Sequence, residues 1–270
     1  MAWCAWRASV CISSISNACS SLRSSIPAWS RSRAISEEVY PLRPIGHVRS
    51  PFRQKFGIPR QAGLIASVGA RVQITAPYDR IEAFRGLEAF SHIWLQFIFH
   101  QARRDDWKPQ VRPPRLGGNR RVGVFASRSP FRPNPIGLSL VGLNGIQRDA
   151  TGLWLEISGA DLLDGTPVLD IKPYLPWADG VDDAEAAWAG EPPARLAVRF
   201  SAKAAGTLAG AEGERLRRQL IEVLALDPRP AYHASASRRY GMRFGEYEVE
   251  WQVDERGVRV TGVDSTTGSD

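Results

Sequence analysis

The sequence predicts a mainly β protein, in which a single β-barrel domain is followed by a small α+β C-terminal domain. From about residue 40 onward, short runs of alternating apolar and polar residues are bounded by Gly or Pro, which is typical of barrels and sandwiches. Two marks of doubly wound folds are missing from the sequence. They are a long strand–helix–strand period and the Gly-rich strand-to-helix turn that binds dinucleotides.

Period-two alternation predicts the strands of the first domain. The clearest case is His92–Phe99, where Ile93, Leu95 and Phe97 share one face. Residues 78–87 fit a short helix. The other predicted strands lie at 45–49, 71–76, 121–127, 138–146, 152–158 and 167–172. Together these elements predict a barrel domain over residues 40–176.

The pattern changes after a predicted linker, 177–194, which is rich in Ala, Asp, Gly and Pro. Residues 195–270 then predict the small α+β domain. Its elements are a strand at 195–200, an amphipathic helix at 211–226 that ends before Asp227-Pro228, and a hairpin of strands at 245–253 and 258–263. Because the core of so small a domain is modest, we expect it to rest on the first domain.

The first 38 residues are predicted to be a disordered extension. They are rich in Ser and Arg, contain no acid before Glu37, and hold all three cysteines. Arg7 interrupts any apolar stretch of a secretory signal, whereas the Arg/Ser composition weakly resembles an organellar transit peptide. Our preferred hypothesis is that this segment is translated upstream sequence and that the native product begins near Val39.

The positive charge of the chain is concentrated in one segment. Residues 103–132 hold nine Arg and Lys residues against two Asp, within a net charge of +7 for the whole chain. This concentration indicates a phosphate-rich partner, although a solvated loop is the alternative. No apolar run approaches the ~18 residues of a membrane helix. The four histidines lack ligand spacing and the body has no cysteine, so neither a membrane nor a metal is expected.

The most constrained stretch of the chain is Arg128–Ser139. Its three prolines fix φ and remove three backbone donors, and each pushes the preceding residue toward extended backbone. A rigid backbone that carries Arg128 and Arg132 is suited to hold an anionic group. Composition leaves a second interpretation open, namely a proline-rich surface turn with solvated arginines.

The predicted strand at 167–172 places Asp170 and Lys172 on one face, away from the main core face. The two residues form either an exposed ion pair of little energetic weight or part of a pocket. Tyr174 follows between Pro173 and Leu175. Polar segments also interrupt the strands at 57–63, 90–93, 113–119, 128–139 and 161–167, and they predict loops that meet at one end of the barrel.

Seven motifs occur in order along these strands and loops. They are Ile45–Pro51, Pro59–Gln61, Gly86–Trp94, Val111–Asn119, Arg128–Ser139, Asp164–Pro167 and Asp170–Tyr174. Through them, residues 40–265 resemble the TsaA-like (YaeB) family, and more closely its TrmO-type bacterial tRNA methyltransferases. The Asp227–Tyr232 motif in the second domain fits this closer resemblance.

The resemblance implies a specific activity. Enzymes of this type transfer a methyl group from S-adenosylmethionine to N6 of threonylcarbamoyladenosine, next to the anticodon of tRNA, on a single β-barrel. The resemblance also implies a homodimer in the bacterial cytoplasm, with the cofactor near the subunit contact. Carried over by motif, the cofactor contacts fall at Pro59, Arg60, Gln61, His92, Ile93, Arg128, Leu138, Asp164, Gly165 and Thr166.

Elementary chemistry is compatible with these positions. Arg128 can clamp the cofactor carboxylate bidentately. Asp164 can accept hydrogen bonds from ribose hydroxyls or the ammonium group. Ile93 and Leu138 can supply an apolar wall for adenine.

The remaining assignments concern the RNA. Asp170 is the candidate catalytic base for the N6 proton, unless no base is needed, and Tyr174 can orient the urea group. The basic segment is expected to hold phosphates of the anticodon stem. The candidate tRNA contacts are Arg115, Arg120, Arg121 and Arg132, of which the last faces either the tRNA or the second subunit.

Two other interpretations stay open. The barrel can bind S-adenosylmethionine or RNA without catalysis, or it can methylate another RNA or a small molecule. The basic segment argues against a small-molecule substrate, and the complete set of loop motifs argues against an inactive site.

Overall fold

The computed structural model describes residues 39–102, 106–229 and 238–266. The extension 1–38 lies outside the described residues, so its disorder and the start near Val39 stay predictions. From Leu42 onward the chain forms one compact unit. Within the described ranges, none of the helices combines the length and the apolar character needed to cross a membrane.

Among the described residues, eight strands precede residue 174, and six of them form the first sheet. The strands are β1 (Gly46–Arg49), β2 (Gly69–Ile74), β3 (His92–Ile98), β4 (Gln110–Val111), β5 (Val122–Gly123), β6 (Ile136–Asp149), β7 (Gly152–Ser158) and β8 (Pro167–Pro173). Neighbouring strands pair in the order β1-β2-β7-β6-β3-β8, and the pairing of β1 with β8 closes the sheet into a barrel. Strands β4 and β5 pair with each other as a separate two-stranded sheet.

The barrel core follows from the alternation of each strand. In β3, burial alternates residue by residue, and Ile93 and Leu95 are fully buried. Strand β6 lies antiparallel to β3, with Gln96 opposite Leu138. Strand β8 lies on the other side of β3, with Gln96 opposite Asp170. The outward side of these three strands is called here the outer face. On it, Gln96 lies between Leu138 on one side and Asp170 on the other.

The second sheet belongs to the C-terminal part of the chain. The short helix α1 (Pro176–Asp179) comes first. The elements that follow it in this part are β9 (Val198–Phe200), α2 (Ala202–Thr207), α3 (Gly210–Ala225), β10 (Tyr240–Phe244), β11 (Tyr247–Asp254) and β12 (Gly257–Ser265). The sheet order is β10-β11-β12-β9, with β9 parallel to β12. Helix α3 buries Leu216, Leu220 and Leu224, the apolar face that its helical spacing predicts.

The mainly β expectation is confirmed, whereas several local predictions were wrong. The strand predicted over 121–127 is two residues of β5 followed by a 3-10 turn, Val124–Ala126. The helix predicted at 78–87 is a 3-10 turn at Ile81–Phe84 and the start of another. Strand β10 was not predicted, and the linker region contains α1.

A segment from the barrel half of the sequence joins the core of the C-terminal sheet. Phe52, Ile65 and Val68 are buried together with residues of α3 and the second sheet. The Phe52 ring meets that of Phe244 edge-on, with centroids 5.6 Å apart, and the two residues form a β-bridge. The second core therefore also contains residues that lie N-terminal to the predicted linker, and the domain bounds 40–176, 177–194 and 195–270 stay predictions.

Candidate functional site

An open cavity of about 280 Å³ lies where the loop after β1 crosses the outside of the barrel. The backbone amide of Gly63 donates to the carbonyl of Gly159 over 2.8 Å, which fastens this loop to the end of β7. Small residues dominate the lining, so main-chain groups are accessible from the cavity. The lining residues are Ala62, Gly63, Ala66, His92, Leu140, Gly142, Ser158 and Gly159.

Two residues predicted to contact the cofactor meet beside this cavity. The guanidinium of Arg128 donates from Nη1 to Oε1 of Gln61 over 2.5 Å, although the two residues are far apart in the sequence. Gln61 directly precedes Ala62, which lines the cavity. Arg128 is exposed, so its other guanidinium donors can reach an anion. The structure thus joins the Pro59–Gln61 motif to the proline-rich stretch.

The other two residues of the Pro59–Gln61 motif have different surroundings. Pro59 is buried, whereas Arg60 is exposed. Arg60 Nη2 donates to the main-chain carbonyl of Arg229 over 3.4 Å, which turns this side chain toward the C-terminal half. The structure therefore brings Gln61, but not the Arg60 guanidinium, to Arg128.

Asp161 is a site residue that the sequence analysis did not assign. Its carboxylate accepts a hydrogen bond from Ser139 Oγ over 2.6 Å, and Ser139 is itself only 3% exposed. Burial raises the pKa of the Asp161 carboxyl, while Ser139, the Arg128 charge and the Ala62 amide act in the opposite direction. One carboxylate thus interacts with β6, with the proline-rich stretch and with the cavity loop. A polar residue, Ser139, at an inward position of β6 was the available signal.

The Asp164–Thr166 motif contacts β1 and the segment after it. Asp164 accepts from Arg53 Nη1 over 2.5 Å and from the Ser50 amide over 3.0 Å. Arg53 also donates to Glu246, in the turn between β10 and β11, over 3.2 Å. Thr166 is 3% exposed. Both Asp164 oxygens therefore have protein partners, and the cofactor contacts of Asp164, Gly165 and Thr166 stay predictions.

The three predicted contacts on β3 and β6 differ in exposure. His92 lines the cavity, and its ring accepts or donates at Nδ1 with the hydroxyl of Ser91 over 2.9 Å. Leu138 is 54% exposed on the outer face. Ile93 is fully buried in the barrel core. An apolar wall for adenine can therefore come from Leu138, whereas Ile93 can contribute only its backbone.

Asp170 lies on the outer face opposite Gln96, whereas Tyr174 lies beside His92, which lines the cavity. Lys172 Nζ lies 2.9 Å from Asp170 Oδ2, and both side chains are about half exposed. The Tyr174 ring lies edge-on to His92 and to Trp94, with centroids 6.4 and 6.1 Å away. The predicted cross-face pair thus exists as an exposed ion pair, and Tyr174 contacts a residue that lines the cavity.

The basic segment surrounds the two-stranded β4–β5 ladder. Arg115, Arg120 and Arg121 are exposed, and Arg115 donates to the carbonyl of Glu191. Arg132 donates from Nη1 to the Ser127 carbonyl over 3.2 Å. Across the residues that the structure describes, no group of three His, Cys, Asp or Glu side chains is arranged to hold a metal ion.

This fold is shared with solved structures. The crystal structure of TrmO from Pseudomonas aeruginosa superposes with a TM-score of 0.69 at 41% identity, covering 84% of this chain and 99% of that one. A second TrmO crystal structure gives a TM-score of 0.68 at 42% identity, covering 84% and 99%. The fold therefore places the protein in the TrmO structural class.

Sequence comparison assigns the chain more narrowly. The tRNA-methyltransferase O N-terminal domain matches residues 47–180, and the TrmO C-terminal domain matches residues 193–266. The tRNA (adenine(37)-N6)-methyltransferase of Escherichia coli K12 is 47% identical over 221 residues, which is 80% of this chain and 94% of the relative. That of Eikenella corrodens is 48% identical over 181 residues, covering 67% and 100%. The chain belongs to the tRNA-methyltransferase O family.

Proposed function

We propose that this chain is an S-adenosylmethionine-dependent tRNA methyltransferase with a TsaA-like barrel, acting on N6 of threonylcarbamoyladenosine next to the anticodon. The observation that carries the proposal is the Arg128–Gln61 pair beside the cavity lined by His92. It occurs in a chain 47% identical to a tRNA (adenine(37)-N6)-methyltransferase. The exposed arginines around β4 and β5 supply the charge that an RNA substrate requires.

The residues present fit the cofactor. Its carboxylate matches the guanidinium of Arg128, which is exposed and held by Gln61. Gly63 and Gly159 line the cavity, and the absence of a side chain at both lets a ligand approach the backbone closely. Leu138 offers exposed apolar surface for adenine. When bound, S-adenosylmethionine supplies an electrophilic methyl group on a sulfonium.

The part of the chain in the reaction is chiefly to position the two substrates. Transfer of a methyl group requires the attacking nitrogen behind that methyl, and fixing this geometry accounts for a large share of rate enhancement. Tyr174, which contacts His92 at the cavity rim, orients the urea group in this proposal. The proton on N6 is acidified by the urea and the purine, so a weak base suffices. Asp170, an exposed carboxylate on the outer face, is the candidate.

The same proposal includes a homodimer in the bacterial cytoplasm. Ile136 and Leu138 lie on the same side of β6, on either side of the buried Gly137, and are 40% and 54% exposed. Burial of such apolar surface against a second copy is favourable by about 25 cal/mol per Å². Contact there would bring Leu138 of each cofactor site to the subunit boundary. Sedimentation velocity of the full chain measures the mass, and a monomer would contradict this part of the proposal.

The activity is tested with labelled S-adenosylmethionine and tRNA that carries or lacks the threonylcarbamoyl group, followed by mass spectrometry of the nucleosides. We expect N6 methylation only on the modified tRNA. Arg128→Ala should weaken cofactor binding by about 1.5–3 kcal/mol, the scale of a charged hydrogen bond, whereas Arg148→Ala, at the other end of β6, should not.

Each other result has a defined meaning. Cofactor binding without product on modified tRNA would favour a binding protein without catalysis. Labelling that ignores the threonylcarbamoyl group would favour another RNA substrate. Unchanged calorimetric affinity in Arg128→Ala would mean that a different side chain holds the carboxylate.

A further inference from the structure

Two exposed aromatic rings lie together on the basic segment, outside the cavity. Trp107 is 51% exposed and Phe125 is 73% exposed. Their centroids are 6.4 Å apart and their planes are inclined by 36°. Large rings are normally buried because their apolar area is unfavourable in water. A pair left this open therefore indicates a surface that meets a ligand.

The backbone holds the two rings in place. Gln110 and Val111 of β4 pair with Gly123 and Val122 of β5, and the amide of Val124 donates to the carbonyl of Pro109 over 2.9 Å. These bonds join the chain just after Trp107 to the chain just before Phe125. The two backbone segments that carry the rings are thus joined before any ligand binds, which lowers the entropy lost on binding.

Cations surround the rings. Residues 106–132 contain seven Arg and Lys residues against one acid, Asp106. The guanidinium carbon of Arg132 lies 5.9 Å from the centroid of the Phe125 ring. Within the described part of the chain, none of these seven cations takes part in a salt bridge. Apart from Arg128, which is proposed to hold the cofactor, these cations are therefore available to a polyanion.

Solvent-exposed aromatic rings among arginines that form no salt bridge are suited to bind single-stranded RNA. Bases that are not paired can stack on aromatic rings, while cations hold the neighbouring phosphates. An acidic peptide would use the cations but has no need of two flat rings. A two-fold contact with a second copy would place this positively charged surface against the same surface of the other subunit. The like charges would then repel each other.

We propose that Trp107 and Phe125 form a stacking site for unpaired nucleobases of an RNA loop, with the surrounding Arg and Lys side chains on its phosphates. This site rests on the proposed function for the identity of the RNA, but it is separate from the cavity where methyl transfer is proposed. It assigns the basic segment a role in distinguishing a loop from a duplex, in addition to general attraction of phosphate.

The test compares Phe125→Leu and Trp107→Leu with the wild type in binding to an anticodon stem–loop RNA and to a duplex RNA with the same number of phosphates. For the stem–loop we expect Kd to rise roughly tenfold per variant, equivalent to about 1.4 kcal/mol and within the range for one base on one ring. For the duplex we expect no change. Phe125→Tyr, which keeps an aromatic face, should restore stem–loop binding.

Salt dependence separates stacking from charge. Phe125→Leu should leave the slope of log K against log salt unchanged, whereas Arg120→Ala should reduce it by roughly one. Tyr78→Ala, which removes an exposed ring far outside the basic segment in sequence, serves as the matched control and should change neither quantity. Sedimentation of each variant checks that the oligomeric state is the same.

Three results would overturn the proposal. They are equal loss of binding to loop and duplex, full binding by Phe125→Leu and Trp107→Leu, or a change of oligomeric state with unchanged RNA affinity. The last result would assign the rings to a subunit contact. Methyl transfer by the wild type to modified tRNA is read separately, so failure of the stacking site and failure of the proposed function give different outcomes.

Discussion

At the scale of single residues, Asp161 best illustrates how the site is organised. It is a carboxyl group at the end of the barrel whose pKa is raised chiefly by burial. Ionisation therefore reduces the stability of the fold, a feature that is common where a charge serves function. Its neighbours are the Ser139 hydroxyl and the charge of Arg128, so the same group influences the proposed clamp on the cofactor.

Asp161→Asn should stabilise the protein at neutral pH. Because the folded-state pKa lies above the ordinary value of 3.8, the folded protein holds the proton more tightly than the unfolded chain does. The free energy of unfolding of the wild type then falls as pH rises from that value through the folded-state pKa. Asp161→Asn cannot ionise and therefore keeps the stability that the wild type loses. That loss of unfolding free energy is about 1.4 kcal/mol for each unit by which folding raises the pKa.

Urea denaturation between acid and neutral pH measures this difference. The difference in free energy of unfolding between Asp161→Asn and the wild type should narrow below pH 3.8. There the Asp161 carboxyl is protonated in both the folded and the unfolded wild type. Ser139→Ala is the matched control, since it removes a bond to the carboxylate and should destabilise the protein. A less stable Asp161→Asn at neutral pH would show that the ionised group contributes favourably.

At the scale of elements, strand β6 connects the proline-rich stretch to the barrel core. The strand begins at Ile136, directly after the last proline, and its next residue is Gly137. A Cβ at Gly137 would lie 2.2 Å from the Cζ of Phe97, a ring that is only 3% exposed. The close approach of β6 to this ring therefore positions the exit of the Arg128–Ser139 stretch.

Gly137→Ala should lower the free energy of unfolding by about 1–3 kcal/mol, because the Phe97 ring has to shift within a packed core. Chemical denaturation provides the measurement. Gly145→Ala is the control on the same strand, since a Cβ there has nothing within 4 Å. Equal stability of the two variants would mean that the core around Phe97 relaxes freely.

At the scale of the whole molecule, the two sheets depend on each other. Phe52, Ile65 and Val68 lie between the barrel strands β1 and β2 but are buried with the C-terminal sheet. Arg53 adds an ion pair to Asp164 on one side and to Glu246 on the other. These exposed pairs contribute little energy, so the apolar contacts are the main link between the sheets.

A chain shortened to residues 42–194 should therefore bind a hydrophobic dye and aggregate, because it exposes the apolar surface of residues 52–68. Light scattering and dye fluorescence measure the effect. The matched variant carries Phe52→Ser, Ile65→Ser and Val68→Ser in the shortened chain, and it should aggregate less. A soluble, folded and dye-negative shortened chain without these changes would contradict the interpretation of a shared core.

Most of the strands could be predicted because burial on one face imposes a period of two. Strand β3, β7 and helix α3 follow their patterns closely. Strand β5 did not, because Gly123 and the 3-10 turn after it interrupt the alternation. In the site, the sequence predicted both Gln61 and Arg128 through their motifs, and the structure adds their contact.

What the sequence determined by itself is local or carried by long motifs: the alternation of the strands, the face of α3, the basic segment and the family. The tertiary structure decided which distant groups meet. Folding brings Ser139 to Asp161, forms the ion pair between Arg53 and Asp164, and places Phe52 in the second core. Such contacts join segments far apart in the chain, and neither periodicity nor composition specifies the partner that folding brings to a given side chain.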